Sequence, residues 1–221
     1  MSAMLPRRLL LTETAAWGGA AVAALTLGGC SVLPGAAYVK RTEWPLVVRR
    51  RVALAARPGG KVLVVRSLTP APGLERRGVQ WLRPDGSLHV DYYNQWAVPP
   101  AEGITDDLRR WLAGSGRFGA VLGPDSGVAG DLALEGEVTE FLGDPALGVA
   151  RVSLALVLIA ARASPAKVLV QRTVTAQAPI HGTTPAALVA ALLAALRGAL
   201  GQAETAVQRF AGAGAAARAK A

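Results

Sequence analysis

Side chains able to do chemistry are few in this sequence. The 221 residues include two histidines, His89 and His181, and one cysteine, Cys30. Neither histidine has a metal-ligand partner at helical or hairpin spacing, and there is no second cysteine or HExxH pattern to build a zinc site. His89 shares a strand face with Asp91, and His181 stands in the turn before the last helix. Ser126 lies in a Gly-Pro-Asp-Ser-Gly loop without the strand-to-helix GxSxG elbow that a lipase nucleophile needs. Glu135 and Glu137 point the same way from one strand as a candidate carboxylate pair, although a solvated strand face accounts for the same spacing. No phosphate-cradling glycine loop occurs, so the chain itself is expected to hydrolyse no nucleotide. The expectation is a protein with no catalytic residues, no metal and no cofactor.

The remaining special groups anchor and touch. Arg7-Arg8 forms a basic start and residues 15–27 a short apolar run, closed by the small residues Gly28 and Gly29 before Cys30. This order reads as a secretory signal, and about a dozen apolar residues are too few for a permanent membrane span. Leu27-Gly28-Gly29-Cys30 resembles the lipobox of bacterial lipoproteins, in which the cysteine is thioether-linked to diacylglycerol; the resemblance implies lipidation of Cys30. Arg7-Arg8-Leu9-Leu10 also looks like a twin-arginine export signal, so general secretion and twin-arginine export both stay open. Ser31, in place of an aspartate, implies sorting to the outer membrane.

Removing residues 1–29 takes away two arginines and one glutamate, leaving a formal charge of +8 over 192 residues. Such a length suits one domain with a sizeable core, and with no second cysteine the mature chain has no internal disulfide. An exported lipoprotein meets no nucleic acid in normal work. Its basic charge therefore points to anionic lipid headgroups or simply to solubility.

Residues 31–45 read as a tether, giving an organisation of signal 1–29, lipidated tether 30–45, one domain 46–210 and a frayed tail 211–221. Alternation predicts strands over 46–56, 61–68, the two runs flanking Pro84-Asp85-Gly86, 118–122, 132–141, 150–160 and 167–177. In the strand over 150–160 both faces are apolar, which predicts a central position covered on both sides. Pro99-Pro100 reads as a break and Thr105 as the cap of a helix running to Gly114 or Gly116. Thr184-Pro185 starts a long final helix with Leu188, Leu192, Leu196, Leu200, Val207 and Phe210 on one stripe and Arg197, Glu204 and Gln208 opposite. Tyr92, Tyr93 and Trp96 cluster beside the proline break. Three large aromatics there exceed what one strand end needs, which predicts a partner interface; core packing of Tyr92 and Trp96 is the competing reading.

The run Tyr92-Tyr93-Asn94-Gln95-Trp96, the proline break, residues 108–112, Gly116-Arg117-Phe118 and the segment 132–141 together resemble the ABC-type transport auxiliary lipoprotein family. These are paraquat-inducible-type partners of MCE lipid transporters. The resemblance implies an α+β fold: a mixed, largely antiparallel sheet with two helices packed on one face, an α/β sandwich. It also implies a non-catalytic auxiliary subunit, anchored in the outer membrane and facing the periplasm. Its implied partners are an MCE-domain protein and an ABC permease/ATPase complex, with self-association left open. Two other readings stand beside it: a lipopolysaccharide-assembly-type lipoprotein, and a lipoprotein hydrolase using Ser126. Because one sheet and two helices consume the chain, no spare apolar stretch is expected to line a closed lipid cavity.

Overall fold

The computed structural model describes residues 38–212. Cys30, the signal segment, the tether as far as residue 37 and the tail beyond Gly212 lie outside the described residues. From Lys40 onward the described chain belongs to one unit.

Strand β7 (Leu132–Asp144) organises the sheet. Its thirteen residues extend about 43 Å, long enough to serve several short partners along one edge. On one side it pairs antiparallel with β8 (Val149–Ala160), and β8 pairs antiparallel with β9 (Lys167–Pro179). Along its other side three segments follow one another like a broken strand, all parallel to it. Leu63 of β2 (Val62–Val65) meets Leu132, Thr69 of β3 (Thr69–Pro70) meets Glu137, and Trp81 of β4 (Gly78–Leu82) meets Gly143. Proline at position 70 cannot donate to a ladder, which limits β3 to a brief contact. β6 (Ala120–Leu122) extends the sheet beyond β2; β5 (Leu88–Trp96) forms a hairpin with β4, and β1 (Thr42–Trp44) lies parallel to β5. The result is the expected α+β fold with a nine-stranded mixed sheet. β1 and β3, which the sequence pattern did not separate from loop, are only three and two residues long.

A bulge between Val138 and Glu140 of β7 explains its sequence pattern. Leu132, Leu134 and Val138 obey a period of two, but Phe141 is three residues further on. The extra residue resets the alternation and turns Phe141 into the core, where it is buried with Val152 opposite. Gly136 faces β8 at such close range that a Cβ there would lie 2.1 Å from the Ala155 carbonyl oxygen, so only glycine fits the ladder.

Helix α1 (Pro100–Ala113) and helix α2 (Pro185–Val207) cover one face of the sheet. Thr184 caps α2 as expected, accepting from the Ala187 amide at 3.2 Å, and Pro185 occupies the first turn. By length and apolarity α2 would pass as a membrane span, yet Leu188, Leu192, Leu196, Leu200 and Val207 are buried against β8 and β9. It is the core helix of the sandwich.

The start of α1 differs from the sequence expectation. Pro99-Pro100 opens the helix instead of merely breaking the strand, because proline's fixed φ and missing N–H cost nothing in a first turn. Thr105 is therefore inside α1. Its hydroxyl donates to the Ala101 carbonyl at 2.7 Å and accepts from the Leu68 amide at 2.9 Å, tying helix to sheet instead of capping.

β8 is central in its half of the sheet, but the expected cover on both faces is not found. Val152, Leu154, Leu156 and Leu158 are buried beneath the helices, while Ala155, Val157 and Ile159 on the other face are half-buried with neither helix over them.

The segment 46–56 is likewise not a strand. Leu46 and Val48 are buried and the segment runs as a strap along α1, making only an isolated bridge between Leu54 and Ser115. Gly103 allows the approach, since a Cβ there would stand 3.2 Å from Leu46 Cδ2. Two polar links hold the strap. Asp107 of α1, fully buried, accepts from the Val48 amide at 2.8 Å and from Arg110 at 2.6 Å. Arg50 pairs with Glu204 of α2, which also accepts from the Trp111 indole at 3.0 Å, and the guanidinium lies over that indole. Glu204 thus turns inward and joins strap, α1 and α2, instead of taking the solvent side of α2. Arg50 is structural, while its neighbours Arg49 and Arg51 stay in solvent.

These links make two expected outcomes. Glu204→Ala removes the acceptor of two partly buried donors and should cost about 2–3 kcal/mol, less than a fully buried pair because both side chains keep some water contact. Chemical denaturation measures this, and Glu204→Gln, which still accepts from Trp111, should lose less. For Asp107, burial pushes the carboxyl above its ordinary value, and the hydrogen bonds from Arg110 and Val48 only partly oppose this. A carboxyl raised on folding holds its proton longer in the folded state than in the unfolded state. Its contribution is therefore full below the unfolded pKa and is lost as pH rises through the folded one. The stability of the wild type relative to Asp107→Asn should accordingly rise as pH falls toward 4, read from urea melts at a series of pH values.

Candidate interaction surface

Among the described residues, the chemically reactive side chains singled out from the sequence are not brought together. His89 stacks on Trp81 with ring centroids 4.0 Å apart and its Nδ1 meets the Arg83 guanidinium at 2.7 Å. His181 is exposed in the connection before α2. Ser126 ends a 3-10 turn (Pro124–Ser126) on the rim of a groove that neither histidine lines. Glu135 is paired with Arg66 at 2.8 Å. Among the described residues no three His, Cys, Asp or Glu side chains form a group that could hold a metal.

That groove has a volume of about 720 Å³, between the first turns of α1 and the loops after β2 and β6. The groove is open to solvent and is not the closed lipid cavity whose absence the sequence leads one to expect. Its lining is mixed: Val65, Leu68, Leu74 and Ala101 are apolar, while Glu75, Glu102 and Asp125 add negative charge beside the Asp106–Arg109 pair, a balance that disfavours a lipid phosphate.

The aromatic cluster divides in two. Trp96 is 1% exposed and stacks on Phe141 with centroids 5.2 Å apart, so it belongs to the core and is absent from the surface. Tyr92 and Tyr93 are 64% and 42% exposed. The reason is local. Gly78 of β4 pairs with Gln95 and Gln80 pairs with Val90, so the single residue Val79 faces four residues of β5, Asp91 through Asn94. The surplus is thrown outward and held by the Asp91 carboxylate, which accepts from the Tyr93 amide (2.8 Å), the Asn94 amide (3.0 Å) and the Asn94 side chain (2.9 Å). Bulges of this kind re-aim side chains while keeping the strand pairing on either side.

At the crest the two phenols meet edge to face with centroids 5.2 Å apart, and the Arg41 guanidinium lies 4.6 Å from the centre of the Tyr92 ring. Arg41 arrives there because β1 pairs with β5 in parallel, Thr42 opposite Asn94. Sequence reasoning missed Arg41, which is remote from Tyr92 and sits in what reads as tether. The only signal was the pair of β-prone residues Thr42 and Trp44 on either side of Glu43, too short a run to stand out.

A mixed sheet with two helices on one face defines an α+β sandwich domain, and one edge of it presents an aromatic crest. Residues 46–203 match the family model for the ABC-type transport auxiliary lipoprotein component, and the chain belongs to that family. Among solved structures it is similar to a Xanthomonas campestris protein of the DUF330 family. That protein is 26% identical, with a TM-score of 0.65 over 76% of this chain and 97% of the other. An uncharacterized protein at 17% identity shares the fold, with a TM-score of 0.58 over 77% of this chain and 99% of its own. No curated protein matches the chain. Its role is thus an auxiliary one associated with ABC-type transport, as a membrane-anchored lipoprotein facing the periplasm.

Proposed function

We propose that the chain is a non-catalytic auxiliary lipoprotein of an MCE-linked ABC transport system that moves lipids or other hydrophobic compounds between the inner and outer membranes. Lipidated on Cys30 and sorted to the outer membrane, it holds components of the pathway together and does not carry the cargo. The family match supports the transport setting. The observation that supports the non-carrier part is the negative charge of the groove beside α1, where Glu75, Glu102 and Asp125 stand next to the Asp106–Arg109 pair.

Co-purification tests the reading. The full-length lipoprotein, crosslinked in its membrane and then solubilised, should bring down an MCE-domain protein with a permease and its ATPase. Recovery of a lipopolysaccharide-assembly β-barrel in their place would support the alternative function. Turnover of ester substrates that is lost on Ser126→Ala would make the protein a hydrolase.

A further inference from the structure

We propose that Arg41, Tyr92 and Tyr93 form a second membrane contact that seats the domain on the phospholipid headgroups of the bilayer holding its lipid anchor; this rests on the reading that Cys30 is lipidated. The bulge that presents the two phenols is built for that purpose, since three hydrogen bonds to Asp91 keep it open. Without them the rings would gain by folding onto the sheet, because large apolar surfaces left in water forgo their burial energy.

The chemistry of the crest selects a lipid surface over a protein. A phenol has an apolar body and a polar tip, the combination that settles at the level of lipid headgroups. A guanidinium forks onto phosphate oxygens and can do so while stacked on a ring. Arg41 belongs to none of the ion pairs among the described residues, and exposed Lys40 precedes it; the nearby acids are engaged, Glu43 with Arg77 at 2.9 Å and Asp91 inside the bulge. The crest is therefore cationic and aromatic, complementary to anionic headgroups, on a mature chain of net charge +8.

Chain length supplies the opportunity. Arg41 is eleven residues from Cys30, so full extension keeps it within about 40 Å of the anchor. At that range a weak contact acts at high effective concentration and needs little intrinsic affinity. The consequence is orientation: the domain stands with the β1–β5 edge toward the membrane and the β9 edge away from it, available to components arriving from the periplasm.

Hydroxyl-radical footprinting read by mass spectrometry tests this with the native lipoprotein in vesicles of phosphatidylethanolamine and phosphatidylglycerol. Oxidation of Tyr92 and Tyr93 should fall several-fold relative to the unanchored Cys30→Ala chain in solution. Exposed Val168, on the far edge of the sheet, should be oxidised equally in both. Arg41→Glu, which is exposed and remote from the core, should restore most of the oxidation in vesicles. Equal oxidation of the two tyrosines in vesicles and in solution, with an acylated Cys30 peptide present, would overturn the contact and leave the anchor standing. Protection that appears only when the ABC transport components are added would overturn the lipid assignment in favour of a protein partner. An unacylated Cys30 peptide would overturn the anchor reading and the proposal together.

Discussion

A Cys30→Ala variant is expected to leave the membrane fraction entirely. On the proposed reading, residues 1–29 serve as the export signal and acyl chains on Cys30 hold the chain at a bilayer afterwards. At about 0.8 kcal/mol per buried methylene, a single chain binds reversibly and two or more hold permanently. The Arg41–Tyr92–Tyr93 crest cannot substitute, since a few side chains at a headgroup surface contribute far less than a diacylglycerol. Fractionation should find the variant soluble and without a fatty-acid label, and equal pelleting with equal labelling would contradict the assignment of Cys30. Density-gradient separation of the wild type should place it with the outer membrane if Ser31 acts as the proposed sorting residue.

Trp96→Ala should lose about 3–5 kcal/mol of stability, the range for truncating a large buried aromatic whose site cannot collapse. The indole is 1% exposed and rests on Phe141, itself fixed by the β7 bulge, so neighbouring backbone has little freedom to fill the void. Tyr92→Ala, four residues away in the same strand, should change stability by only about a few tenths of a kcal/mol, as surface substitutions do. Thermal melts of the two variants side by side separate core from surface within one aromatic run. A Trp96→Ala chain that melts like wild type would place the indole outside the core.

Much of the fold is legible in the sequence where burial imposes one clear period. The stripe Leu188 to Val207, the Pro84-Asp85-Gly86 hairpin and the alternation of Val152 to Leu158 each specify their element unaided. Asp85 reinforces that hairpin by accepting from the Ser87 amide and hydroxyl, which hold its carboxyl below the ordinary value. What was misread depends on tertiary context. Leu46 and Val48 alternate like a strand, yet they fill the surface of α1 and find their hydrogen-bond partner in Asp107, 59 residues from Val48. Pro99-Pro100 looks like an ending because proline breaks a strand, although the same residue is well suited to begin a helix.

The site shows the same division. Tyr92 and Tyr93 could be picked out as aromatics in excess of a strand's needs, since surplus hydrophobic area is visible in composition alone. That Trp96 leaves the group and Arg41 joins it is decided by a bulge and by a parallel pairing, neither of which has a local sequence signature. Glu204 looked solvent-facing on a helical wheel because the wheel knows nothing of Arg50 arriving from the strap.

The claim at the centre of this account is that the domain links components and carries no lipid. Mass spectrometry of the soluble domain lacking residues 1–30, purified without detergent and then extracted, tests it most directly. The account predicts that this domain binds its MCE or transporter partner while phospholipid stays far below one molecule per chain. About one lipid per chain would contradict it, because the several hundred cubic ångströms that a lipid fills would then have to lie in the groove beside α1 or open from the core.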